Sequence, residues 1–213
     1  VQATDGTLSS TKAIAVTVTA VNDNTPVITS GTTANVAENT TAVMTVTATD
    51  ADLPAQTLTY SIVGGADAAK FTINSNTGAL SFATAPDYEV PTDAGGNNVY
   101  DVTVQASDGA LSSTKAIAVT VTSVNDNTPV ITSSATASVA ENTTAVMTVT
   151  ATDADLPAQT LIYSIAGGAD AAKFTINSST GALSFLAAPD FETPTDAGGD
   201  NVYDVTVQVS DGQ

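Results

Sequence analysis

The 213-residue sequence contains no cysteine, no histidine and no tryptophan. Without cysteine there is no disulfide framework, and without cysteine or histidine the usual ligands of zinc and copper are missing. A histidine general base is excluded as well. Bases are scarce: four Lys and Arg stand against 22 Asp and Glu, for a formal net charge of −18. Because only 12% of residues are charged, this imbalance reflects a shortage of bases rather than an excess of acids. Such a surface repels nucleic acid and anionic membranes. No run approaches the ~20 apolar residues that cross a bilayer, and residues 1–20 lack the charged start and apolar centre of a signal peptide. The reading is a fragment cut from something longer, with oxygen as nearly all it offers a metal.

What is present is a repeat. Val1–Ala110 matches Val104–Gln213 at 94 of 110 positions without a gap, a period of 103. The hexapeptide VNDNTP occurs at Val21–Pro26 and again at Val124–Pro129. Taking it as the join divides the chain into residues 1–21, the terminal strand of a preceding repeat; residues 22–124, a complete repeat; and residues 125–213, a repeat lacking its last strand.

Within a repeat the apolar residues alternate with a period of two, the signature of half-buried strands. The inward sets are Met44, Val46 and Ala48; Leu58, Tyr60 and Ile62; Tyr100, Val102, Val104 and Ala106; and Ile117, Val119 and Val121. Further short strands are expected at 27–29, 71–73 and 80–82, separated by turn signals such as Gly64-Gly65 and Asn76-Thr77-Gly78. Seven or so strands in about 100 residues, with no helical period, indicate an all-β chain of tandem Greek-key β-sandwiches.

The acids fall in a pattern. Asp23, Glu38, Asp50, Asp52, Asp87, Glu89 and Asp108 all sit at strand ends or in the segments joining them, so the sandwich poles gather them. Here the motifs VAENTT at Val36, ATDADLPAQTLTYSI at Ala48, FTINSNTGALSF at Phe71, PDYE at Pro86, ASDG at Ala106 and VNDNTP resemble, in order and near the usual spacing, those of a cadherin repeat of the kind found in large bacterial extracellular adhesins. The resemblance implies immunoglobulin-like sandwiches and calcium, about three ions at each complete junction between repeats, a hard cation taking six to eight oxygen ligands. Carried onto this sequence, the inner junction draws on Glu38, Asp87 and Glu89, on Asn125, Asp126 and Asn127 of the linker, and on Asp153, Asp155 and Asp211 of the following repeat. The upstream join retains Asn22, Asp23, Asn24, Asp50, Asp52 and Asp108, enough for one ion. Glu141, Asp190 and Glu192 have no linker of their own and are expected to be empty or weakly occupied. The family usually has another Asp two residues before the linker Asn, where this chain has Ala20 and Ser123, and a lower ion count follows.

Other residues read blandly. DAGGNN at Asp93 and DAGGDN at Asp196 are glycine-rich hairpins rather than ion loops, and Asp67 and Asp170 read as surface turn residues. Asn39 of the Asn-Thr-Thr triplet is structural rather than a glycosylation acceptor. No nucleophile is paired with a base, so the chain is not read as an enzyme. The resemblance implies an extracellular or cell-surface location and a calcium-rigidified structural or adhesive array: a stalk, a fibre of biofilm type, or a module for adhesion between cells or to surfaces. Its partners would be neighbouring repeats and a carbohydrate or homophilic ligand, without nucleic acid or membrane insertion. A calcium-dependent carbohydrate-binding module is the alternative. Finally, the last unit stops at SDGQ while Leu8–Thr19 repeats Leu111–Thr122 almost unchanged. Open sheet edges invite pairing, so the leading segment is expected to link copies head to tail by strand donation.

Overall fold

The computed structural model describes residues 1–213 and divides into two compact units, Val1–Pro86 with Asp93–Thr120, and Asp87–Thr92 with Val121–Gln213. Apart from two single-turn 3-10 helices, Ala68–Lys70 and Ala171–Lys173, the regular elements are all strands.

The first unit opens with a hairpin of β1 (Gln2–Thr4) and β2 (Ser9–Thr11). Nine strands follow: β3 (Val27–Ile28), β4 (Thr33–Ala37), β5 (Ala42–Thr45), β6 (Ala48–Thr49), β7 (Thr59–Gly64), β8 (Phe71–Ile73), β9 (Ala79–Phe82), β10 (Val99–Ser107) and β11 (Ser112–Thr122). A four-stranded sheet runs β4-β11-β10-β7 and a three-stranded sheet β5-β9-β8, with β3 paired to β6. The central pair is antiparallel from Val99↔Thr120 to Ser107↔Ser112, which places Val102 opposite Ile117 and Tyr100 opposite Val119. Tyr100, Val102, Val104, Ala106, Ile117 and Val119 are all buried, as their alternation requires. Tyr100 meets Phe82 edge to face at 5.1 Å and Phe82 stacks on Phe71 at 4.6 Å, so the aromatic cluster joins the two sheets in one core. Gly78 closes the turn into β9 at φ +71°, where a Cβ would stand 2.1 Å from the Val46 carbonyl oxygen; no other residue fits.

The second unit has the same plan with strands missing. Its elements are β12 (Val130–Ile131), β13 (Ala145–Thr148), β14 (Ala151–Thr152), β15 (Ile162–Gly167), β16 (Phe174–Ile176), β17 (Ala182–Phe185) and β18 (Thr206–Ser210). They form sheets β12-β14, β13-β17-β16 and β15-β18. No counterpart of β11 lies beside β18, and two consequences follow. Residues 136–140, TASVA, do not form a strand, although TANVA is β4 in the first unit. β18 is five residues long where β10 is nine. An extended backbone whose N–H and C=O groups have no partner gains nothing by staying a strand. The same cause limits the expected strand at Leu8–Thr19: only Ser9–Thr11, paired to β1, is regular, and residues 12–20 are wholly exposed.

One expectation is overturned. Asp67 and Asp170 are not surface turn residues but are buried, at 5% and 3% exposure. Asp67 accepts the Ala94 N–H at 2.7 Å and the Asp101 N–H at 2.9 Å, and Asp170 does the same for Ala197 and Asp204. Each fastens the glycine-rich hairpin to the backbone that follows it, so its carboxylate is satisfied by backbone donors in place of water.

Candidate metal centre

Asp50 and Asp52 leave β6 on a tight turn in which the Asp50 Oδ1 accepts the Asp52 N–H at 2.9 Å. That turn aims both carboxylates toward Asp108, at the end of β10, and one oxygen from each of the three lies within 4.8 Å of the others. Two like charges at that separation repel by about 3 kcal/mol for an effective dielectric near 20. Linker residues partly compensate: the Asp23 and Asn24 N–H groups donate to Asp52 Oδ2 at 3.2 and 3.0 Å, and the Asn24 side-chain amide donates to Asp52 Oδ1. These donors, the Asn24 side chain first, hold the Asp52 carboxyl below its ordinary range. Asp108 is held down by the Leu111 and Ala110 N–H groups, at 2.7 and 2.8 Å. Asp52 and Asp108 therefore remain charged near neutrality.

The second unit repeats the construction. Asp153, Asp155 and Asp211 present oxygens within 4.8 Å of one another. Burial pushes the Asp155 carboxyl up, but the Asn127 side chain at 2.7 Å and the N–H groups of Asn127 and Asp126 outweigh it, and the net position is low. Asn125, Asp126 and Asn127 line one side of a shallow depression whose other side carries Ser210 and Asp211. Glu89 and Asp126 also bring carboxylate oxygens within 4.8 Å of each other, and Glu89 Oε1 accepts the Leu156 N–H at 2.9 Å. Glu38 belongs to the first unit, where it is buried.

One observation separates these groups from solvated acids. Asp50 Oδ2 and Asp153 Oδ2 are buried and accept no hydrogen bond. A carboxylate oxygen withdrawn from water and left without a donor, beside two further carboxylates, fits a cation. The donor set is wholly oxygen and includes side-chain amides, which suits calcium rather than a transition metal.

The remaining acids fall differently. Glu141, Asp190 and Glu192 also gather within 4.8 Å, but all three are exposed and two are engaged by local N–H groups, Phe191 on Glu141 and Glu192 on Asp190. Asp23 and Asp87 belong to none of the groups; the Asp87 carboxylate accepts the Val90 N–H at 3.0 Å. Asn39 adopts φ +61° and its N–H donates to the Pro86 carbonyl at 2.9 Å, a left-handed turn that asparagine tolerates. Gln56 and Gln159 each carry a buried side-chain oxygen without a donor, the same orphan in both units.

The hairpins at Asp93 and Asp196 are closed by their own acids. Burial raises the Asp93 carboxyl, yet the N–H groups of Asn97 and Asn98, both at 3.0 Å, bring it below its ordinary value. Asp196 is balanced in the same way by Asp200 and Asn201. A folded pKa below the unfolded value, about 3.9, stabilises the fold above that value, and the contribution is lost as pH falls through the folded pKa. In chelator, the melting temperature should be flat from pH 7 to about 5 and fall below about 4, with a smaller acid slope in Asp93→Asn. A melting temperature unchanged down to pH 3 would contradict this.

Comparison with known proteins follows the geometry. A family model described as the cadherin domain matches residues 32–122 and 135–213. Protocadherin Fat 1 of Homo sapiens is 36% identical over 219 residues, covering 96% of this chain, which spans 4% of that protein. Among solved structures, extracellular cadherin domains 3–6 of protocadherin gamma B2 superpose with a TM-score of 0.63 at 27% identity, over 96% of this chain and 51% of that one. Domains 22–24 of mouse cadherin-23 give 0.61 at 27% identity, over 91% and 61%. These relatives are animal proteins, so they do not carry the likeness to bacterial adhesins. Cadherin domains are extracellular adhesion repeats rather than catalysts, and they generally bind calcium. No helix here is long and apolar enough to cross a membrane. With both units matched along most of their length, the chain belongs to the cadherin-domain family as a tandem of all-β sandwich repeats.

Proposed function

We propose that this chain is part of a calcium-stiffened adhesive array, a stalk or fibre on a cell surface, in which ions fix successive repeats and leave their outer faces free to engage like repeats. The near-identity of successive repeats fits a long array of like units, such as a bacterial surface adhesin. The observation that carries the reading is the orphaned oxygen that recurs at Asp50 and Asp153, each within a carboxylate triad. Asp50, Asp52 and Asp108 with Asn22 and Asn24 hold one ion. Asp153, Asp155 and Asp211 with Asn125, Asp126, Asn127 and Glu89 hold the ions of the inner junction, to which the resemblance adds Glu38 and Asp87. Ser123 stands where the family has a further carboxylate, so fewer than the usual number of ions is proposed there. The mechanism is linkage: ions that bind only the folded, aligned form stabilise that form.

A carbohydrate-binding module is the weaker reading, because the aromatic clusters Phe71, Phe82 and Tyr100, and Phe174, Phe185 and Tyr203, are committed to core packing rather than to a sugar platform. Isothermal calorimetry counts the ions per chain, and small-angle X-ray scattering reads the maximum dimension. Calcium should narrow the distribution of dimensions and chelator should broaden it. A scattering profile indifferent to chelator sinks the stiffening role.

A further inference from the structure

The loop that leads from each acid pair to the next strand is inverted. In residues 53–57, LPAQT, every residue is exposed except Gln56, and Leu53 stands 77% in water. Residues 156–160 repeat the pattern, with Gln159 half-buried and Leu156 50% exposed. An apolar side chain is left outside while an amide is turned in. The Oε1 atoms of Gln56 and Gln159 are buried and accept no hydrogen bond. Burying an amide oxygen without a donor is unfavourable, so an arrangement that recurs in both units points to a partner other than the chain itself.

Both ends of the loop are fixed at the carboxylate triad. It starts at Asp52 and runs into β7, where Thr59 pairs with Ser107 and its hydroxyl donates to the Ser107 carbonyl at 3.2 Å. Ser107 immediately precedes Asp108, the third acid of the group. In the second unit the loop starts at Asp155 and runs into β15, where Ile162 pairs with Ser210, the neighbour of Asp211. Each glutamine is four residues beyond the buried acid, a reach of at most about 14 Å, and three residues before the paired position. We infer that Gln56 and Gln159 each supply their side-chain oxygen to the ion held by the triad beside them, as a neutral ligand added to the carboxylates. This rests on the calcium reading and extends its ligand set.

The choice of an amide has a physical reason. Three carboxylates already present oxygens within 4.8 Å of one another. A fourth would bind the cation more tightly but would load the metal-free fold with further like charge. Calcium accepts carbonyl oxygens as well as carboxylates, and its affinity is set by the number of charged ligands. The glutamine therefore fills a place in the coordination shell and spares the metal-free fold, at the expense of affinity. Ala20 and Ser123, where the family has a carboxylate, act in the same direction.

The test titrates the 213-residue chain and its variants with calcium by calorimetry, counts metal-bound water from europium(III) luminescence lifetimes in H2O and D2O, and records thermal melts in chelator. Gln159→Met keeps the length of the side chain and removes its oxygen. Calcium affinity at one site should fall about tenfold and bound europium should gain about one water, while the melt in chelator is no lower than the parent's. Gln56→Met should do the same at the other site. Gln159→Glu should bind calcium about tenfold more tightly without added water, and should melt below the parent in chelator. Methionine variants that match a calcium-binding parent in affinity and water count overturn the inference and leave the calcium reading standing. A loss of affinity without a gain of water also overturns it, since the glutamines would then support the loop rather than touch the ion. A parent that takes up no calcium removes the calcium reading and this inference together.

Discussion

Adding calcium to the metal-free chain should raise its melting temperature steeply, by the equivalent of about 4 kcal/mol once free calcium exceeds the dissociation constant a thousandfold. The size of the effect comes from what the metal-free fold tolerates. Each triad holds three carboxylates with oxygens within 4.8 Å of one another. The sharpest probe is Asp153→Asn. Its Oδ1 still accepts the Asp155 N–H, now at 3.0 Å, so the turn survives. The charge and the orphaned Oδ2 disappear. If the triad is an ion site, the metal-free variant is as stable as the parent or more so, because a like-charge repulsion is relieved, while calcium affinity falls at least tenfold, about 1.4 kcal/mol. If the acids are ordinary turn residues, metal-free stability falls and the calcium response is unchanged. Calorimetric titration with thermal melts of both proteins separates the two cases.

Replacing one valine at two places where the neighbouring sequence is the same should give unequal losses. Val104 and Val207 stand in the identical stretch DVTVQ, yet Val104 is fully buried on the inner face of β10 and Val207 is half-buried at the margin of the second core. Val104→Ala removes two methyl groups from a closed core and leaves a cavity, a cost of about 2 to 3 kcal/mol, or ten degrees or more in melting temperature. Val207→Ala should cost less than about 1 kcal/mol, since part of that surface already meets water. Equal losses in thermal melts of the two variants would contradict this difference in burial.

Much of the fold was legible because the strands carry their own period. The inward sets at Tyr100–Ala106 and Ile117–Val119 are the buried ones, and the strand expected at 71–73 lies at Phe71–Ile73. The stretch 42–49 breaks into β5 and β6, since the Val46 N–H turns to the Gly78 carbonyl and leaves the ladder. The acid clusters at Asp50, Asp52 and Asp108 and at Asp153, Asp155 and Asp211 were foreseeable because a sandwich gathers its strand ends at two poles. Asp67 and Asp170 were not. Their short spacing from Lys70 and Lys173 suggested solvent, whereas their donors, Ala94 with Asp101 and Ala197 with Asp204, lie 27 and 34 residues on.

Alternation, turn residues and the 103-residue period are properties of neighbouring residues, and the sequence by itself determined them: two like units, all-β, with acids at the strand ends. Which distant groups meet was decided only in three dimensions. Asp67 is buried because the Ala94 and Asp101 N–H groups reach its carboxylate, and Asp170 because those of Ala197 and Asp204 do. A buried carboxylate must find its donors elsewhere in the chain, and no property of its neighbours says where they lie.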